Sequence, residues 1–127
     1  MEVIINNSSG EKIDRSRIKK IAKRAGKKKW IVSVSFVKKN KMKMLNKKYR
    51  KKNAPTDVLS FTMKEGSLLG DVVVCPSIAK VNAVKYGSTF RDEIARLVVH
   101  GLLHLLGYEH GKKMFDLQDK ITGGSNA

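Results

Sequence analysis

The stretch from Ile94 to Leu106 constrains the fold more than any other part of the chain. Ile94, Leu97, Val98, Leu102 and Leu105 recur at helical spacing. Ala95, Val99, Leu103 and Leu106 fill positions where a surface helix would carry polar residues. A helix apolar nearly all round belongs inside a core, so other elements must wrap it. Asp92-Glu93 mark its start, because acids favour the positive end of the helix dipole. Glu93 lies seven residues before His100, about 10.5 Å along a helix, and reads as a helix N-terminal acid rather than a ligand.

The same helix carries two of the three histidines in the chain. His100 and His104, at i and i+4, lie one above the other on a single face. Gly107 can supply the left-handed turn that ends the helix and returns the chain, bringing His110 towards the same point. Three imidazoles with a fourth position open to water form the arrangement of a catalytic zinc site, one ion per chain. The same donors also accept nickel, copper or iron. Two ligands on a buried helix are rigidly held, as such a site requires. In HExxH peptidases a glutamate general base follows the first histidine. Here that position is Gly101, which argues against a peptidase.

Around this helix the pattern reads as a single mixed α/β (α+β) domain over residues 1–121. It comprises about four strands in a mixed sheet and about five helices, with the metal at the sheet edge. Residues 122–127, rich in glycine, are expected to be disordered. Val3 to Asn6 reads as a first strand. Asp14 caps a helix with Ile18, Ile21 and Ala22 on its inner face, stopped by Gly26. In the strand around 30–37, Trp30, Val32, Val34 and Phe36 share one face, and Ser33 and Ser35 the other. Residues 41–51 predict a helix with Met44, Leu45 and Lys48 on one side, and Pro55 bars its extension. A strand at 58–63 and a turn at Glu65-Gly66-Ser67 follow. Gly70-Asp71 then leads into a buried strand at Val72-Val73-Val74. Pro76-Ser77 opens a helix to about Tyr86.

Lys and Arg number 27 against 11 Asp and Glu, a formal net charge of +16. No acid occurs between Asp14 and Asp57, where 18 of the 27 bases lie. Lys38, Lys39, Lys41, Lys43, Lys47, Lys48, Arg50, Lys51 and Lys52 fall within fifteen residues. Such a field attracts polyanions, and lysine suits sequence-independent phosphate contact better than base reading. At 127 residues the chain buries one core without staples. It has no apolar run long enough for a membrane span and no basic-then-apolar secretory start. With the lone Cys75 unable to form an intrachain disulfide, a reduced cytoplasmic setting is expected, Cys75 packing in the core.

These residues resemble a known family. His100 to His110, HGLLHLLGYEH, is similar to the HGxLHLxGYDH signature of the YbeY family of rRNA maturation factors. Leu45-Asn46, Tyr49-Arg50 and Thr56-Asp57-Val58-Leu59-Ser60-Phe61 resemble its LN…YR…TDVLSF block. Leu69-Gly70-Asp71-Val72-Val73 resembles its LGD segment. The matches keep the family order over roughly residues 45–115. Glu109 departs from the usual aspartate, and the segment after His110 is short.

The resemblance implies a zinc-dependent endoribonuclease for single-stranded RNA. Its implied role is in rRNA maturation, processing of the small ribosomal subunit and ribosome quality control, with rRNA precursors, the small subunit and ribosome assembly proteins as partners. Arg50, matching the arginine of the YR element, is the candidate for stabilising charge on the phosphate. Glu109 is the candidate proton carrier, or the carboxylate that orients a ligand histidine. The eight lysines named above are the expected RNA contacts. Thr56 and Asp57 are expected to fix the turn into the following strand. Met114 either floors the metal site or packs in the core. Tyr49 reads better as a core tyrosine than as a base-stacking one. The competing readings are a non-catalytic RNA-binding assembly factor with a structural zinc, and a zinc hydrolase of another class.

Overall fold

The computed structural model describes residues 1–26 and 29–123. The elements, in chain order, are β1 (Glu2–Asn7), α1 (Arg15–Ala25), β2 (Ile31–Phe36), α2 (Lys39–Arg50), β3 (Val58–Glu65), β4 (Leu68–Val74), α3 (Pro76–Lys85), α4 (Phe90–Leu105) and α5 (Lys112–Gly123). The sheet runs β1-β2-β4-β3. β1 pairs parallel with β2, β2 parallel with β4, and β3 antiparallel with β4. It is the mixed four-stranded sheet with five helices that the sequence predicts.

Both faces of β4 are covered at Val72–Val74, which explains the apolar run there. Val72 and Val74 point into the main core, with Val32, Val34 and Phe36 of β2 and the apolar residues of α1, α4 and α5. Val73 points the other way into a smaller core with Leu59, Met42 and Cys75. α4 is the central element, with ten of its sixteen residues buried. It starts at Phe90, two residues before the acids that mark it in sequence, because Thr89 is the cap and its hydroxyl accepts from the Asp92 N–H. Asp14 caps α1 as expected, accepting from the Arg17 N–H at 3.1 Å. Its bonds to Arg17 and Arg91 hold its carboxyl below the usual carboxylate range.

Several expectations are corrected. β3 runs two residues past Met63, and β4 starts at Leu68, because the hairpin keeps Gly70-Asp71 paired with Phe61-Thr62. α2 buries Met42 and Asn46 rather than a row through Met44, which is exposed. Met42 inserts beneath the sheet, and the Asn46 amide donates to the Ala54 carbonyl, so this i, i+4 row sets the inner face. α5 continues to Gly123, two residues into the stretch expected to be disordered. There the Thr122 hydroxyl bonds back to the Gln118 carbonyl. Residues 124–127 lie outside the described residues.

Candidate metal centre

α4 ends in the way the Gly107 position predicts. Gly107 has φ +98°, a conformation costly for any residue with a Cβ. Its N–H bonds to the His104 carbonyl and the Tyr108 N–H to the Leu103 carbonyl, both at 3.0 Å. This pair of bonds is a Schellman stop, and it turns the chain so that His110 comes back over the helix end. The ring centroids of His100 and His104 are 4.6 Å apart, those of His100 and His110 5.0 Å, and those of His104 and His110 4.7 Å.

One nitrogen from each ring lies within 4.8 Å of the others. His100 Nε2 and His104 Nε2 are 3.1 Å apart. Two nitrogens sharing a tetrahedral ion at usual zinc–nitrogen lengths stand about 3.3 Å apart, so the donor set fits a metal with little movement. His110 is exposed, and all three histidines line one cleft. Burial pushes the pKa of both His100 and His104 below the ordinary histidine value. The shift favours the neutral ring, the form that binds metals.

A buried amide orients the first ligand. His100 Nδ1 is 3.0 Å from Gln118 Oε1, an acceptor, so the Nδ1–H donates and the Nε2 lone pair faces the other rings. Gln118 is only 3% exposed. Sequence reasoning misses it, although a signal exists: Met114, Gln118 and Ile121 form one buried stripe of α5, with a polar residue in the middle.

Gly101, between the two helical ligands, has a packing role. A Cβ there would lie 2.6 Å from Val72 Cγ1, so glycine is what lets α4 approach β4 this closely. The glutamate of a peptidase would not fit on this helix as packed. The cleft contains a different carboxylate, Asp57, whose oxygens accept from the Val58 N–H at 2.8 Å and the Asn82 amide at 3.1 Å. It is engaged in shaping the turn, as expected, and it also lines the cleft together with Thr56.

The cleft has a volume of about 690 Å³. The three histidines and Gly101 line one side, residues 56–62 around edge strand β3 another, and Tyr49 and Arg50 the end nearest α2. The histidine cluster therefore opens at the sheet edge. The eight lysines are exposed along α2 and its flanks, outside the cleft lining. Among the described residues none of them forms an ion pair with an acid. Glu109 is exposed beside His110 and does not line the cleft; the second nitrogen of His100 is bonded by Gln118.

Met114 packs in the main core and is absent from the cleft lining. Tyr49, expected in the core, is 55% exposed and meets Phe61 edge-on at 5.0 Å between centroids. Glu93 does stand in the first turn of α4, but it is 2% exposed and both its oxygens bond Arg96. That bond raises the Arg96 pKa and places a guanidinium one helical turn before His100.

A cluster of three imidazoles that could hold a metal ion thus lines a cleft beside a lysine-rich helix, on an α+β scaffold. The chain belongs to the YbeY family: the family model described as Endoribonuclease YbeY matches residues 3–124. The Endoribonuclease YbeY of Sulfurihydrogenibium sp. is 46% identical over 71% of this chain and 66% of its own length. That of Macrococcus caseolyticus is 43% identical over 71% and 68%. The chain thus spans about two thirds of the length of these curated relatives. The solution structure of TM1509 from Thermotoga maritima superposes with a TM-score of 0.63 at 33% identity, covering 94% of this chain and 87% of that one. No helix among the described residues is long and apolar enough to cross a membrane.

Proposed function

We propose that this protein is a zinc-dependent endoribonuclease that cuts single-stranded RNA during rRNA maturation. It would act on the small subunit in the cytoplasm, alongside ribosome assembly proteins. The observation that carries the reading is the convergence of the three histidines and Arg50 on one cleft, at the end of the helix that bears the lysines. His100, His104 and His110 would hold the ion, which would supply Lewis-acid chemistry and lower the pKa of a water towards about 7. The protein's own residues supply the rest. Gln118 fixes the tautomer of His100. The lysines of α2 hold the strand by its phosphates. Arg50 faces the scissile phosphate, where charge accumulates in the transition state and a fixed cation is most effective. Glu109, beside His110, is the candidate proton carrier and ranks behind Arg50 because it stands outside the cleft.

The open side of the centre favours catalysis over a purely structural ion, since structural zinc sites are closed by four protein ligands. The deciding experiment is cleavage of a labelled single-stranded RNA by the wild-type protein and by His104→Ala, with bound zinc quantified in both. Expected is about one zinc per chain and cleavage in the wild type, with both lost in the variant. A wild type that holds zinc yet leaves naked RNA and immature ribosomal subunits intact refutes the nuclease and favours the assembly factor. The product ends identify the nucleophile: a 2′,3′-cyclic phosphate signals attack by the 2′-hydroxyl.

A further inference from the structure

Tyr49 and Phe61 have no role in the chemistry above, yet they line the same cleft as Arg50 and the three histidines. Phe61 is half-buried, anchored against the smaller core on edge strand β3. Tyr49 stands on it edge-on, with an interplanar angle of 62°, and keeps over half its surface open to solvent. Edge-to-face contact satisfies one aromatic pair without closing off the tyrosine. Tyr49 is presented on a fixed support at the mouth of a cleft, next in sequence to the residue that faces phosphate.

We propose that Tyr49, braced by Phe61, is the platform on which one unpaired base of the substrate strand stacks. This deepens the endoribonuclease reading and rests on it. Every base has a π-face, so such a platform selects unpaired nucleotides without selecting sequence. A base held inside a duplex presents no free face to the ring, which makes the platform a device for strand state. Lys48 Nζ lies 5.2 Å from the Tyr49 centroid. A surface cation–π contact is weaker than base stacking, so the flexible lysine yields to the base and its ammonium is released to the neighbouring phosphate. The nucleotide is then held at two points, its base on Tyr49 and its phosphate at Arg50, which fixes its register relative to the histidines.

The test is equilibrium binding to the metal-loaded protein of a short labelled single-stranded RNA and of a fully abasic strand of equal length, scored on the uncut strand of each. The wild type should prefer the base-bearing strand. Tyr49→Ala should weaken that strand by roughly 5- to 150-fold while leaving the abasic strand unchanged, and Tyr49→Trp should restore the preference. The slope of log affinity against log salt should stay the same in Tyr49→Ala, because no phosphate contact is removed. Equal affinity of wild type and Tyr49→Ala for the base-bearing strand overturns the platform. So does a loss shared by both strands with a shallower salt slope, which would mean that Tyr49 acts by placing Lys48. Binding is read apart from cleavage: base preference in a protein that never cuts RNA leaves the platform standing and removes the nuclease, and cleavage with no base preference does the reverse.

Discussion

α4 lines one side of the cleft and α2 contributes its end, and the two helices are built on opposite principles. α4 buries ten of sixteen residues, and its two histidines are fixed by the core around them. α2 buries two of twelve, Met42 and Asn46, and offers solvent a row of lysines. A buried aliphatic side chain contributes about 1.5–3 kcal/mol, whereas an exposed cation contributes almost nothing to folding. The histidine-bearing helix is therefore costly to alter and geometrically strict, while the lysine-bearing helix tolerates change and acts on its surroundings through its field. Placing the ligands on the rigid element suits coordination, which fails with small displacements. A mobile polyanion asks less of its partner: charge at about the right distance suffices.

The contrast can be broken at its strongest point by Arg50→Ala, the charged residue of α2 that reaches the cleft. It should retain metal and fold but lose about 10²–10³ in cleavage rate, the usual loss for one transition-state donor; single-turnover rates near wild type would remove Arg50 from the chemistry. Next comes Gln118→Leu, which should keep the fold while weakening metal affinity about 10–100-fold, read by competition with a chelator. Undiminished affinity would show that the amide is packing rather than orientation.

Gly101→Ala tests the histidine-bearing helix through stability. Its new methyl meets Val72, and overpacking of this kind costs about 1–3 kcal/mol. Denaturant unfolding should show the destabilisation, and Val72→Ala should recover part of it in the double variant; additive effects would mean that the helix simply shifts. The smallest effect per residue is expected on α2. Neutralising Lys43 and Lys47 together should lower the salt slope of RNA binding by about 0.7 for each phosphate that is no longer neutralised, with metal content and melting temperature unchanged. A fall in either would mean that α2 supports the histidine-bearing helix after all.

Much of this is legible in the sequence. The apolar run of α4, the i, i+4 histidines and Gly107 are local signals, and the structure repeats them: a buried helix, a shared face and a left-handed stop. The basic stretch is equally plain, because charge density needs no partner to be read. Residues whose role depends on a distant neighbour are not legible. Tyr49 reads as a core residue, since nothing local says that Phe61 of β3 will support it from the side and leave it open. Glu93 reads as a helix-start acid, and only packing shows it buried with Arg96.

The sequence by itself determined which elements form, which helix must be buried and which three side chains can share a metal. Periodicity, capping and ligand spacing act over a few residues and carry their own physical cause. Tertiary structure decided that β3 forms the sheet edge, so the histidines open into a cleft with Arg50 and Tyr49 at its end. It decided that Gln118, eighteen residues beyond His100, bonds its second nitrogen, and that Gly101 is there to let α4 meet Val72. Those outcomes depend on which surfaces meet, and a chain records that only in the combined packing of all its elements.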